Sequence, residues 1–397
     1  MTMLAHRFRK TLLGTALAVG LVAGAAPANA VSIVFTDDGT VAGSAAERGF
    51  NIAKSFWEHV LTNDVTININ ISFSSFGDPD IIGGAQSNLY YIDIPSYQAY
   101  LGATGTTNLD AVKVLPTLTN GAVSVVTPGY VDEVNQLGVD TTKRVFDNDG
   151  SVNNQIIGLN SSVLKAIGLG ADVGAGEADG DVTFSSDFAF DFDPTDGIDA
   201  DKIDFVAVAI HEIGHILGFT SGVDDYDYIG GPNGPFAAVY AGEPLNEYIV
   251  GQVLDLFRYA QSNDGAELNW APGDDGYFSI DGGQTAFLDG YFSTGEYNGD
   301  GRQASHWKDA SGNLQLGIMD PTVAFGQMGV VRALDLAALD AIGWNTNVDV
   351  LAKPNWSYTT AQAAVPEAAT WAQMIIGFGF IGGTLRRFGG RRKTAIA

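Results

Sequence analysis

Residues 205–219 read FVAVAIHEIGHILGF. This segment is apolar on nearly every side, which predicts a helix buried in the centre of a domain. Residues four apart share one helix face, so His211 and His215 can bind one metal ion together. Zinc prefers neutral imidazole nitrogens, and a catalytic site combines three protein ligands with a water. Glu212 then lies beside the open position, as in a zinc hydrolase.

The flanks of this segment predict how the helix begins and ends. Asp199 or Asp201 is the expected N-cap, and Gly218 is expected to end the helix in the left-handed conformation. Residues 181–193 alternate apolar and polar side chains, which predicts a strand. An edge strand here can accept a peptide substrate as an additional strand, whereas an ordinary half-buried strand fits the pattern equally well.

A third zinc ligand has to come from a later part of the chain. Ser221, shortly after Gly218, is a poor zinc ligand. His306, in the segment ASHWK, is the favoured candidate because zinc needs a third partner. The alternative is a gluzincin-type hydrolase with Glu243 or Glu247 as the third ligand.

The order of these motifs resembles the metzincin zinc proteases, in particular leishmanolysin-like members. In those proteins the third histidine comes late, in a Ser-His-Trp context, shortly before a methionine turn; Ser305-His306-Trp307 and Met319-Asp320-Pro321 reproduce that order. The chain departs from leishmanolysin in having no cysteine and no tyrosine just after Met319. The resemblance implies Zn²⁺ as the cofactor and a protein or peptide as the substrate. It implies these roles: His211, His215 and His306 as metal ligands, Glu212 as the general base that activates the metal-bound water, Met319 as the floor of the site, and Gly218 as the helix-terminating turn.

The predicted fold class is α+β. The resemblance implies a metzincin-like zinc protease domain with a twisted mixed sheet, a buried active-site helix and a mostly helical C-terminal part. Periodicity predicts an amphipathic helix at 44–61, a half-exposed strand at 65–73 and a short strand at 122–127. It also predicts amphipathic helices at 243–261 and 330–344.

The first thirty residues have the pattern of a secretory signal peptide. A basic start and an apolar run precede Ala28-Asn29-Ala30, where cleavage is expected after Ala30. An uncleaved anchor is the alternative. The sequence predicts a protease domain at 31–350 and a linker at 351–365.

The tail at 366–397 has three parts: Pro366-Glu367-Ala368, an apolar stretch and a basic cluster. It resembles the PEP-CTERM sorting signal of Gram-negative bacteria, with alanine in place of the second proline. The resemblance implies an exosortase-type processing enzyme, transient membrane contact and export to the cell surface or medium. A simple membrane anchor is the alternative, and a non-catalytic surface or matrix protein with a structural zinc site is the competing function.

The body of the chain is strongly acidic. Removing 1–30 takes away three basic residues and no acidic ones, and removing 366–397 takes away five basic and one acidic. Of 20 basic and 46 acidic residues, 12 and 45 remain, a formal charge of −33. Such a charge disfavours nucleic acid as a partner and favours cations. Four acidic turns are candidate calcium sites without complete EF-hand spacing, and solvated turns are the favoured interpretation; they are Asp147-Asn148-Asp149-Gly150, Asp191-Phe192-Asp193, Asp196-Gly197 and Asn298-Gly299-Asp300-Gly301.

Overall fold

A computed structural model describes most of the chain between the two predicted export signals. The described ranges are 31–77, 82–174, 176–263, 265–309 and 315–365. The predicted signal peptide and sorting tail lie outside them. Within the described ranges, no helix has the length and apolar character needed to cross a membrane.

Strands and helices alternate along the chain, which confirms the mixed α/β character of the predicted class. The described strands are β1 (Ser32–Asp37), β2 (Thr66–Ser74), β3 (Gly83–Ser87), β4 (Leu89–Asp93), β5 (Val125–Gly129), β6 (Asp140–Asp147), β7 (Ile156–Asn160), β8 (Gly180–Ser185), β9 (Phe190–Asp191), β10 (Ile203–Asp204), β11 (Arg258–Ser262), β12 (Gly265–Leu268), β13 (Tyr277–Phe278), β14 (Val330–Arg332) and β15 (Ser357–Thr359). The described α-helices are α1 (Ala46–Val60), α2 (Ile94–Thr104), α3 (Asn108–Val112), α4 (Val152–Gln155), α5 (Ser161–Leu164), α6 (Phe205–Ile216), α7 (Val223–Ile229), α8 (Ala237–Tyr240), α9 (Ala333–Ile342) and α10 (Thr360–Ala364). Short 3₁₀ or π turns join some of them.

The main sheet has four strands in the order β1-β2-β8-β3 and is mixed, as predicted. β1, β2 and β8 are parallel, and β3 runs antiparallel to β8 at the edge. The suggestion that residues 181–193 form an edge strand is wrong, because β8 is bonded on both sides. Alternation at Val182 and Phe184 indicates that one face of the strand is buried. It does not indicate whether neighbouring strands pair with one or both of its edges.

Aromatic packing fixes α1 and α6 against this sheet. The Phe205 ring at the start of α6 lies 5.3 Å from Phe50 of α1 and 5.0 Å from Phe184 of β8. Trp57 of α1 is fully buried and donates its indole N–H to the carbonyl of Ile210 at 3.1 Å. The predicted helix at 44–61 and strand at 65–73 correspond to α1 and β2. The weaker strand predicted at 122–127 is shifted toward the C-terminus, to β5.

Helix α6 begins later than the sequence suggested. Its N-cap is the buried Asp204, whose carboxylate accepts from Ala207 N–H at 3.0 Å, so the prediction of Asp199 or Asp201 is wrong. The chain is still extended at Ile203, because β10 pairs with β9 immediately before the helix. That pairing moves the cap to the last residue of β10.

The region after α6 is less helical than expected. The predicted helix at 243–261 is wrong: two short 3₁₀ turns there lead into β11, which pairs with β12 and β13. The carboxylate of Asp255 accepts from the backbone N–H groups of Gly222 and Gln252, both at 2.8 Å. It holds a tight turn at Gln252, whose N–H a helix over 243–261 would need for its own hydrogen bonds. Among the described residues after α6, the longest helix is α9, of ten residues, so the expected mostly helical C-terminal part is also wrong.

The end of the described chain folds back onto the domain. The helix predicted at 330–344 corresponds to α9, preceded by β14. Residues 351–365 are not a free linker, because β15 pairs antiparallel with β14 and α10 packs against α1. The buried Thr360 donates its hydroxyl to Asp204, the cap of α6. The folded unit therefore extends beyond the predicted boundary at residue 350.

Candidate metal centre

Three histidine side chains converge on one point. The Nε2 atoms of His211 and His215 are 3.0 Å apart, and each lies 3.2 Å from Nε2 of His306. A tetrahedral zinc ion with nitrogen ligands at about 2.0–2.1 Å would separate those nitrogens by about 3.3–3.4 Å. Among the His, Cys, Asp and Glu side chains of the described residues, these three have ligand atoms close enough together to bind one metal ion.

The opposite ring nitrogens show which tautomer each histidine adopts. Nδ1 of His211 lies 2.7 Å from the Ile318 carbonyl oxygen, and Nδ1 of His215 lies 2.7 Å from that of Phe219. Nδ1 of His306 lies 3.2 Å from the carbonyl oxygen of Gln303. A carbonyl only accepts, so each Nδ1 carries the proton and each Nε2 keeps a lone pair. Three lone pairs this close repel one another unless a cation accepts them.

Burial keeps these imidazoles neutral. It lowers the pKa of His211 to about 4 and that of His215 to about 3, and it holds the pKa of His306 well below its usual value. Neighbouring imidazoles add to the effect at His215 and His306. Neutral imidazole is the form that binds zinc.

Gly218 ends α6 as the sequence predicted. Its φ of +107° lies in the region that favours glycine, and its N–H donates to the His215 carbonyl at 3.1 Å. A Cβ at this position would also lie 2.5 Å from Cγ2 of Val163. The turn brings the Phe219 carbonyl back onto Nδ1 of His215, so the residue that ends the helix also orients the second ligand.

Met319 lies directly beneath the helix that carries the first two histidines. It is 1% exposed, and a Cβ added at Gly214 would lie 2.5 Å from its Sδ. The glycine within the histidine motif is therefore required for close approach. Trp307 N–H donates to the Met319 carbonyl at 2.9 Å, which ties the segment bearing the third histidine to this turn.

Glu212 is half-buried beside the histidines on α6. Burial raises the pKa of its carboxyl to about 8, partly offset by a hydrogen bond with the backbone of Ala85. A nearby divalent cation would favour the ionised form and lower that pKa. The carboxyl can therefore exchange a proton near neutral pH, as a general base requires.

The edge strand β3 runs alongside this site. Ala85 contacts Glu212, and the Ser87 hydroxyl donates to the His215 carbonyl at 3.3 Å. Among the described strands, β8 alone pairs with β3, along one of its edges. An extended peptide can add to the other edge and pass beside the histidines. The edge strand is therefore β3 and not the predicted 181–193. β3 is short and rich in glycine, so its sequence has no clear strand pattern.

Asp335 on α9 organises the third-ligand region and was missed by the sequence analysis. One oxygen accepts from the Trp307 indole at 2.8 Å and Met319 N–H at 3.3 Å; the other accepts from Ile318 N–H at 2.9 Å and Arg332 N–H at 2.7 Å. Burial raises the pKa of Asp335, but four converging donors favour its carboxylate form. No local motif marked it, because its partners are distant in sequence.

Asp224 on α7 was missed for the same reason. Its carboxylate accepts from Ala304 N–H at 2.5 Å and from Ser305 N–H at 3.0 Å. The Ser305 hydroxyl donates to it as well, at 2.5 Å. Burial raises the pKa of Asp224 to about 6. Asp224 thus holds the two residues that precede His306.

Other candidates from the sequence do not join the histidine cluster. Glu243 accepts a hydrogen bond from the Tyr248 hydroxyl at 2.7 Å, and neither it nor Glu247 belongs to the group of convergent ligand atoms among the described residues. Ser221, at the position where most metzincins carry a histidine, donates to Asp255 at 2.6 Å.

Two of the acidic turns are closed by their own backbone. Asp191 accepts from the N–H groups of Asp193 and Asp199, both at 3.0 Å, and Asp300 accepts from Thr294 N–H at 3.1 Å. These contacts fit the favoured interpretation of ordinary turns.

Comparison of the chain with protein-family models, with curated proteins and with solved structures gives no match in any of the three. The family resemblance therefore stays a prediction from the motifs.

Proposed function

We propose that this chain is a zinc-dependent endopeptidase of metzincin type, with His211, His215 and His306 holding the metal and Glu212 acting as general base. The observation that carries the proposal is the convergence of three Nε2 lone pairs, each fixed by a carbonyl on the opposite ring nitrogen. Three neutral nitrogens are the ligand number of a catalytic zinc site and one fewer than a structural site uses.

The chain's own residues supply the remaining parts of a peptidase. The free edge of β3 can bind an extended peptide through main-chain hydrogen bonds, so the substrate is a peptide or an unfolded segment of a protein. Glu212 lies next to β3, since it contacts Ala85. A carboxyl there can take a proton from water and return it to the leaving amine, a role typically worth about 10²–10⁴ in rate.

Zinc, when bound, lowers the pKa of water to about 7 and polarises a carbonyl group. Gly214 and Met319 keep the floor of the site closely packed, and Asp224 and Asp335 hold the segments on either side of His306. The metzincin fold is proposed on this combination: one helix with two ligands, a late third histidine and a methionine turn beneath them.

Casein hydrolysis by residues 31–365, loaded with one equivalent of zinc, tests the proposal. We expect activity that a chelator abolishes and zinc restores. Glu212→Gln is the key variant, because it keeps the shape of the side chain and removes the base. It is expected to retain one zinc per chain while the rate falls by about 10²–10⁴.

Glu58→Gln serves as the matched control, because Glu58 is a half-buried glutamate on α1 whose carboxylate accepts from Ile33 N–H. Activity that survives both the chelator and Glu212→Gln would refute zinc proteolysis. A zinc-loaded wild type without activity on casein or unstructured peptides would refute the endopeptidase and favour a surface protein with a structural metal site.

Export is a second part of the proposal, based on residues 1–30 and 366–397. We propose a mature chain that begins at Val31, reaches the cell surface or medium of a Gram-negative bacterium, and is processed at its tail by an exosortase-type enzyme after transient membrane contact. N-terminal sequencing and intact mass of the secreted protein test this. An intact Met1 or an unprocessed tail would contradict the corresponding part.

A further inference from the structure

The turn between β6 and β7 concentrates oxygen-bearing side chains in a largely buried position. Its sequence is Asp147-Asn148-Asp149-Gly150-Ser151-Val152-Asn153-Asn154. Asp147 is 4% exposed, Asn153 3% and Asn154 0%. Asn246 reaches the same turn from the long segment between His215 and His306, with its amide nitrogen 2.9 Å from Asp149 Oδ2.

Two carboxyl groups meet in this turn. The side chain of Asp149 lies within hydrogen-bond distance of Asp147, and burial raises the pKa of the Asp147 carboxyl, with the proximity of Asp149 adding to the rise. None of the ion pairs among the described residues involves either aspartate. A cation bound between the two carboxylates would stabilise the buried charge of Asp147.

A second observation points to a ligand at the same place. The side-chain oxygen of Asn154 is buried and has no hydrogen-bond partner, although its amide nitrogen lies 3.0 Å from Asp147 Oδ1. Buried polar atoms in proteins nearly always have partners, so this oxygen calls for an additional group. The acidic turns at Asp191 and Asp300 contain no such orphan among the described residues.

The spacing of these groups suits a hard cation. The amide nitrogens of Asn153 and Asn154 donate to the two oxygens of Asp147, at 2.7 and 3.0 Å. The nitrogen and oxygen of an amide have the same shape and are assigned from the hydrogen-bond network, so a rotated amide presents oxygen instead. Oxygen ligands of calcium, at 2.3–2.6 Å from the ion, lie about 2.7–3.5 Å from one another.

We propose that the turn Asp147–Asn154, together with Asn246, is a calcium site. Its ligands are the carboxylates of Asp147 and Asp149 and the amide oxygens of Asn153, Asn154 and Asn246. Six to eight oxygens in an irregular cage suit Ca²⁺ better than Mg²⁺, which demands a small octahedron and keeps its water. The ion would tie the segment between the second and third histidines to the β6–β7 turn. This site is separate from the histidine cluster and independent of the proposed peptidase activity.

Calorimetric titration of the zinc-loaded protein with CaCl₂, alongside thermal unfolding, tests the site. We expect one calcium per chain and a rise in Tm of about 3–5 °C at a hundredfold excess over Kd. Mg²⁺ at the same concentration is expected to give a much smaller shift. Asp149→Asn is the main variant: Asp149 is exposed, so the change should leave the fold intact and remove most of the calcium response.

Asp38→Asn is the matched control, since Asp38 is an exposed turn carboxylate that accepts from Thr40. It should respond to calcium like the wild type, and so should His306→Ala, which lies outside this turn. No calcium-dependent heat or Tm shift in the wild type would overturn the proposal. A full response in Asp149→Asn, or its loss in His306→Ala, would overturn it too, because calcium would then be binding elsewhere.

Discussion

Replacing Asp335 by asparagine tests whether one buried carboxylate holds the third-ligand region together. Each of its oxygens accepts two N–H donors: Trp307 and Met319 on one, Ile318 and Arg332 on the other. Asparagine keeps one oxygen and puts an NH₂ group against the other pair. Two buried donors then lose their acceptor, at about 1–3 kcal/mol each, so the free energy of unfolding should fall by about 2–6 kcal/mol.

The assay is urea unfolding of the zinc-free protein, followed by zinc affinity measured against a competing chelator. We expect weaker zinc binding as well, because Ile318 also accepts from His211 and Trp307 is next to His306. Trp307→Phe removes one of the four donors and should cost about 1–2 kcal/mol, a graded control. A change of less than 1 kcal/mol in Asp335→Asn, with unaltered zinc affinity, would refute this role.

Three further predictions concern stability. Gly214→Ala should destabilise the wild type, because its Cβ would lie 2.5 Å from Met319 Sδ. In a Met319→Ala background the same change should stabilise the protein by up to about 1 kcal/mol. Equal effects in both backgrounds, measured by urea unfolding, would contradict the packing argument. Burial, reinforced by Asp110, raises the pKa of Asp340 from 3.8 to about 7, so the folded state holds a proton that the unfolded chain releases, and stability is lost as pH rises from about 4 to 7. Asp340→Asn should therefore have a higher Tm than the wild type at pH 8 and no such advantage at pH 4. A Tm difference independent of pH would contradict this prediction. Thr360→Val should lower the free energy of unfolding by about 1.5–3 kcal/mol, because Asp204 loses a hydrogen-bond donor. Thr360→Ser keeps the hydroxyl and should retain most of the wild-type stability. Equal stabilities of the two variants in thermal melts would rule out the contact.

Local sequence patterns predicted the parts of the site whose geometry is set by neighbouring residues. Four-residue spacing places His211 and His215 on one face of α6, and Gly218 ends that helix with a positive φ. His306 was selected from its motif context. The structure brings it to within 3.2 Å of both other histidines, although it is 91 residues from His215.

The parts that sequence could not predict depend on partners far apart in the chain. Asp335 and Asp224 bind backbone N–H groups of remote loops, and no spacing rule identifies such a contact. The edge strand β3 is short and contains two glycines, so it lacks the β-branched alternation that marks a strand. The helix expected at 243–261 failed because a buried carboxylate, Asp255, overrides local periodicity by binding the turn.

The three-histidine zinc site is tested by X-ray absorption spectroscopy at the zinc edge of the loaded protein, together with a measurement of zinc content per chain. For the wild type we predict one zinc per chain with three imidazole nitrogens at about 2.0–2.1 Å and one further light ligand. In His306→Ala, one nitrogen should be lost and the affinity for zinc should fall sharply. A wild-type zinc held by two imidazoles and a carboxylate, or an unchanged spectrum in His306→Ala, would contradict the three-histidine site.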